Sequence, residues 1–296
     1  MKYSLILLLI ASFYSCQSDE FKDDVKLKKD IIGEWYCDSV AYLVTDSTKK
    51  GPAPLPYLIR NGYLFSADDS FELKQGFHKL IESHDYGGIF QFIGYKTTFN
   101  IEKENLKIFD ISQNDWRSQK ILKLTKDSLW LLRLNPLFPY QYIEKYARFQ
   151  AKSSKNLAVD KIVMSLVGAF GVHPTFKIII NTNGKAQFFG ERHTRMNGYF
   201  TTTVPKEKLE DIFNQFRKVD LKMLSNNFDS HNSDDNTILI SFWKDNKQVK
   251  AVRDYGRVSP SAFVCGYQRL QNLYQELNWT AIDKKQFDAH YLTPAQ

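Results

Sequence analysis

A chain of 296 residues, 43% hydrophobic and 15% aromatic, has ample length for two cores, and its many Phe and Tyr residues favour sheets over helical bundles. The formal charge is +7, yet no block of five like charges occurs, which together with an exported leader argues against a nucleic-acid partner. The excess sits in residues 151–296, with 20 Lys and Arg against 14 Asp and Glu, where Lys206, Lys208, Arg217, Lys218 and Lys222 read as the wet face of an amphipathic helix.

The chain opens with Lys2, the apolar run Leu5-Ile6-Leu7-Leu8-Leu9-Ile10-Ala11, and Ser12-Phe13-Tyr14-Ser15 before Cys16. An apolar core this short does not span about 30 Å of hydrocarbon at 1.5 Å per residue, so cleavage is expected. Ser15-Cys16 resembles the box of bacterial lipoprotein signals. Phe13 and Tyr14 depart from the common pattern but suit the looser boxes of Bacteroidota-type lipoproteins. The resemblance implies a signal peptide over 1–15, acylation of Cys16, and an outer-membrane, lipid-anchored protein whose first partner is the membrane. Gln17-Ser18-Asp19-Glu20 resembles the acidic tag that sends such proteins to the cell surface. Residues 16–30 are expected to be a polar tether that ends in a helical turn. The alternative is an ordinary secretory leader in which Cys16 is incidental.

Residues 31–150 predict short strands at 34–44, 61–66, 70–77, 89–93, 95–102, 106–111, 119–125, 128–134 and 141–149, with turns at Asp68-Asp69 and Lys103-Glu104-Asn105. Phe99 and Ile101 alternate with Thr98, Asn100 and Glu102, and Leu129 and Leu131 with Trp130 and Leu132. Gly33-Glu34-Trp35 at the start and Tyr146-Ala147-Arg148-Phe149 at the end resemble the opening and closing strands of lipocalin-like domains. The resemblance implies an antiparallel β-barrel in which Trp35 plugs the closed end and Arg148 packs on it.

Ala151-Lys152-Ser153-Ser154-Lys155-Asn156 lacks apolar alternation, so a linker is expected over 151–159. An α+β domain over 160–280 follows, with strands at 161–167, 175–181, 185–190 and about 196–203 and a turn at Thr182-Asn183-Gly184. A helix is predicted from Pro205 with Leu209, Ile212, Phe213, Phe216 and Val219 on one face. A hairpin at 237–243 and 248–254 turns at Asp245-Asn246. A second helix is N-capped by Ser259 and carries Phe263, Val264, Tyr267, Leu270, Leu273, Tyr274 and Leu277 as its apolar stripe. Phe170-Gly171-Val172-His173-Pro174-Thr175-Phe176, Asn183-Gly184 and Phe188-Phe189-Gly190 resemble an uncharacterised bacterial family marked by Phe-Gly-x-Cys-Pro-x-Tyr. His173 stands where that family has cysteine, so thiol chemistry at that position is unavailable. Residues 281–296 are expected to be a tail. The fold class is thus β-rich, a lipocalin-like barrel followed by an α+β domain with two helices.

Candidate chemistry is sparse. His173 and His193 flank a hairpin and form a candidate functional loop, with a hydrogen-bonded structural role as the alternative. His78, Glu82, His84 and Asp85 have ligand-type side chains but no zinc spacing, and the oxygen-rich run Asn226–Asn236 lacks the glycine and terminal glutamate of a calcium loop, so an Asx turn is expected there. Serine-nucleophile and phosphate-loop motifs are missing. No catalytic residue, metal or cofactor is assigned. Cys37 and Cys265 are expected to be buried and free. Tyr57, Tyr63, Phe65, Phe90, Phe92, Phe99, Trp116 and Trp130 are candidates to line a barrel mouth for a small apolar ligand, against a barrel filled by its own side chains. The run Lys49–Pro56 is a candidate rim loop. The expected function is binding or envelope support. The alternatives are an extracytoplasmic enzyme centred on His173 and a purely structural interaction module.

Overall fold

Alternating side chains carry the first half into a closed barrel, because each strand must hide every second residue and only closure leaves no unpaired edge. The structure, a computed structural model, describes residues 24–43, 60–84, 87–134, 141–150, 158–168, 173–231 and 235–288. The expectations for Cys16 and the leader, the run Lys49–Pro56, Tyr57, Asp85, Phe170–Val172 and residues 151–157 lie outside the described residues.

The eight barrel strands are β1 (Gly33–Leu43), β2 (Gly62–Phe65), β3 (Ser70–His84), β4 (Gly87–Glu102), β5 (Asn105–Asp110), β6 (Asp115–Leu124), β7 (Ser128–Leu134) and β8 (Gln141–Arg148), each antiparallel to its neighbours. Phe99, Ile101, Leu129 and Leu131 point inward and are buried, as their alternation predicts. The stretches 89–93 and 95–102 are one strand. Gly94 (φ +137°) sits where they join, in a conformation that side-chain-bearing residues rarely adopt. Strand β3 runs to His84, beyond the expected end at 77, so β3 and β4 form a long hairpin.

The barrel's closed end is capped by α1 (Asp24–Ile31), a two-turn helix where the tether is expected to end in a helical turn. Leu27 and Ile31 bury against the barrel core, and the Asp24 carboxylate accepts the backbone N–H groups of Lys103 and Glu104. Trp35 is fully buried and donates its indole N–H to the Ile31 carbonyl at 2.7 Å, which sets the helix on the plug residue.

The second half is an eight-stranded sheet in the order β13-β15-β14-β9-β10-β11-β12-β16. Its strands are β9 (Lys161–Val167), β10 (Thr175–Asn181), β11 (Lys185–Arg192), β12 (Gly198–Thr203), β13 (Asn227–Asp229), β14 (Thr237–Lys244), β15 (Lys247–Tyr255) and β16 (Thr280–Ala281). Helices α2 (Lys206–Arg217) and α3 (Ser261–Glu276) pack on one face, where Ile178, Phe188, Phe242, Phe263, Tyr267 and Leu270 form the core. Two expectations are corrected at the helix starts. Pro205 and Pro260 occupy the N-cap positions themselves, and neither helix has a side-chain cap. The Ser259 hydroxyl instead donates to the fully buried Asp254 carboxylate, which also accepts from Tyr267 at 3.0 Å.

Two further differences concern polar segments. Asn227–Asp229, expected to be part of an Asx turn, pairs parallel to β15, and Asp229 bridges to Arg253. The expected tail folds back as well. A 3-10 turn at Lys284–Gln286 delivers Phe287 to the sheet's opposite face, where it packs against Val163 and Ile179.

Candidate functional site

The two halves meet on a polar surface built by the outward residues of the barrel and one face of α3. Gly62 marks the closest approach: a Cβ there would lie 2.8 Å from the Tyr36 ring, 2.9 Å from Lys74 and 3.0 Å from the Cys265 sulfur. On β1, Glu34, the middle residue of Gly33-Glu34-Trp35, points out of the barrel. It accepts from the Tyr36 hydroxyl at 2.6 Å, from Lys218 at 2.5 Å, and lies 3.4 Å from Lys74. Lys74 bridges to Glu72 at 3.2 Å, and Glu72 in turn takes one arm of the Arg269 guanidinium while Asp211 takes another. Gln215 donates to the Tyr36 hydroxyl at 2.7 Å. Lys218 therefore belongs to this seam, and Lys208 pairs with Glu276, so the expected wet face of α2 is only partly wet. Lys206, 85% exposed, keeps the expected role.

Burial pushes the carboxyls of Glu34 and Glu72 up, but the cations beside them outweigh it. Lys74 and Lys218 at Glu34, and Lys74 and Arg269 at Glu72, hold both below the ordinary carboxylate range. Burial raises the thiols of Cys37 and Cys265 to about 12 each, and both are free.

Two concave sites flank the seam. The first lies inside the barrel at the end away from α1, with a volume of about 630 Å³. Its apolar wall includes Tyr63, Phe71, Phe77 and Ile108, and its polar wall includes Asn61, Asp110, Arg117, Gln119 and Arg133. Behind this polar wall Glu144 is 1% exposed and accepts from Arg133 at 2.9 Å, the Tyr146 hydroxyl at 3.0 Å and Gln119 at 3.3 Å. Tyr63 and Tyr146 stack below with ring centres 4.7 Å apart, and Trp35, Phe65, Phe99, Leu106, Leu129 and Leu131 pack together in the same core.

This corrects the expected aromatic mouth. Of the eight aromatics proposed to line it, Tyr63 does. Phe65 and Phe99 are buried in the core, and Phe90 and Trp116 are half exposed to solvent. Trp130 lies outside between Lys123 and Lys145, and Phe92 packs on Tyr95, while Tyr57 lies outside the described residues. The residues that the sequence reading missed, Arg133 and Glu144, had one signal. They fall in phase with the inward-facing Leu129, Leu131 and Tyr146, so charge was being written on the barrel's interior.

The second site is a cleft of about 660 Å³ between the β3–β4 hairpin, α3 and the loops of the second half. It brings together His173 and His193, the two residues singled out in the sequence, with His78, Asp235 and Arg257. His78 shares a 3.0 Å hydrogen bond with the Asn272 side chain, and burial lowers its affinity for a proton, so the ring is neutral near pH 7. Of the His78, Glu82, His84 and Asp85 group, His78 turns to the seam and Asp85 lies outside the described residues. Among the described residues, His173 and His193 have no hydrogen-bond partner and no group of three or more His, Cys, Asp or Glu side chains is placed to hold a metal ion. The chemistry this cleft offers is hydrogen bonding by amides and imidazoles.

Residues 160–277 match a family model described as Domain of unknown function (DUF6438), a span that begins just before β9 and ends just after α3. No curated protein matches the sequence.

Proposed function

We propose that the chain is an outer-membrane lipoprotein, anchored through acylated Cys16 and exposed at the cell surface, whose barrel binds a small amphiphilic molecule. The leader and the Ser15-Cys16 box support the anchor, and the position of α1 supports the orientation. From Cys16 to Asp24 the extended chain spans at most roughly 28 Å, which keeps the capped end of the barrel within reach of the membrane and leaves the mouth at the far end. The observation that carries the binding role is the cavity at that mouth, apolar on one wall and carrying on the other the half-buried Arg133 paired with the buried Glu144. Such a wall suits a ligand with an apolar body and a polar head better than the wholly apolar one expected from composition.

Two measurements test this reading. Cys16→Ala should move the protein from the membrane to the soluble fraction, and an unchanged membrane fraction removes the anchor. Titration of the soluble form, residues 22–296, with dodecanoate should show saturable one-to-one binding that Gln119→Trp abolishes by filling the mouth. Failure of dodecanoate and of a neutral twelve-carbon detergent to bind would leave the interaction-module reading in its place.

A further inference from the structure

We infer that the cleft between the barrel and the second half is a separate binding site for a neutral, hydroxyl-rich ligand, an oligosaccharide chain. The first support is a pair of unsatisfied acceptors. Asp235 Oδ2 and Gln271 Oε1 are both shielded from water, both belong to residues lining the cleft, and neither has a hydrogen-bond partner. Buried acceptors without donors are uncommon in folded proteins, so both side chains gain by turning toward a hydroxyl-bearing ligand in the cleft.

The second support is the chemistry of the lining. Of the amides lining the cleft, Asn272 is spent on His78, Gln75 and Tyr95, Gln275 on the backbone of Phe90 and Phe92, and Gln75 on Arg60 and Asn61, which leaves the Gln271 amide and the Gln268 oxygen for a ligand. An amide offers donors and an acceptor in one plane, which matches a hydroxyl that both donates and accepts. The fixed charges of the lining, Asp235 and Arg257, are of opposite sign and together favour neither an anion nor a cation. On the rim, the ring of Phe90 is 50% exposed and offers an apolar plate of the kind that the carbon-bound hydrogens of a sugar ring cover.

The cleft shares Leu73, Gly76 and His78 with the edge of the barrel cavity, yet its polar groups come from α3 and the second half. It stands without the barrel ligand proposed above.

The test is calorimetric titration of residues 22–296 with four neutral hexasaccharides, a β-1,4-glucan, an α-1,4-glucan, a β-1,4-mannan and a β-1,4-xylan. At least one should bind one-to-one, weaken at least tenfold in Gln271→Ala and in the rim variant Phe90→Ala, and bind unchanged in Gln119→Trp, whose substitution lies in the barrel mouth. Phe90 is half exposed, so its variant keeps the test valid where Gln271→Ala loses the fold. If none of the four binds, or if affinity survives both cleft substitutions, the inference is wrong. Binding of an unstructured hexapeptide of Gly and Ser by the same cleft, with all four sugars silent, overturns it in favour of a peptide site.

Discussion

Arg148 stacks 4.1 Å from the centre of the Trp35 ring, and the two are direct partners across the β1 and β8 seam that closes the barrel. The guanidinium also donates to the carbonyls of Ile32, Asp30 and Lys126, the last two at 2.5 and 2.6 Å. One side chain thus ties the end of α1, the first strand and the β6–β7 turn to the plug. Arg148→Met keeps the aliphatic stem but loses the fork, and should cost about 2–3 kcal/mol in urea denaturation. Arg148→Lys should recover less than half of that, because a point ammonium cannot serve three carbonyls in one plane. Equal stability of the Met variant and the parent would show that the stack is ornamental.

Arg269 is the corresponding tie between the halves, buried and shared by Glu72 and Asp211. Arg269→Met leaves Glu72 facing the seam with Lys74 alone, a loss of about 3 kcal/mol for a broken buried pair. Calorimetry should then resolve two unfolding transitions where the parent shows one, since the seam is polar and depends on its charges. A single transition at the parental temperature would mean that α3 packing alone couples the halves.

The seam also dictates a pH response. Glu34 and Glu72 are held below the ordinary carboxyl value of 4.5 by their cations, so the folded chain binds fewer protons there than the unfolded one. Their contribution is complete above about pH 4.5 and disappears as the pH falls through the folded-state values. Melting temperature should therefore drop more steeply on acidification in the parent than in Glu34→Gln/Glu72→Gln, with the two curves converging at low pH. Parallel curves would assign the acid sensitivity to other carboxylates.

Burial raises Cys37 and Cys265 to about 12, which leaves a thiolate fraction on the order of 1 in 10,000 at pH 8. Residues 22–296 should react with neither equivalent of Ellman's reagent when folded and with two after denaturation. A fast native equivalent would place one of these thiols in a more open surrounding than its burial implies.

The barrel was legible because its information is local. Each hairpin joins neighbours in the chain, and the alternation at Phe99 and Ile101 or at Leu129 and Leu131 states which side faces in. The two helices were legible for the same reason, with starts displaced by one residue at each proline. The stripe of α3 from Phe263 to Tyr274 does face the sheet. What misled was its opposite side: Gln268, Arg269 and Asn272 are as buried as the stripe, at 5%, 3% and 1% exposure.

The sequence by itself therefore determined the strand alternation and the apolar faces that build each core, and its resemblance to lipocalin-like domains implied the Trp35 plug. Tertiary structure alone decided that Glu34, Lys218 and Arg269 meet in one seam, and that the distant His78 joins the hairpin's His173 and His193 in one cleft. The reason is physical: a polar residue patterned away from a core satisfies its hydrogen bonds equally well with water or with a complementary protein surface, and residue order does not distinguish the two until the surfaces meet.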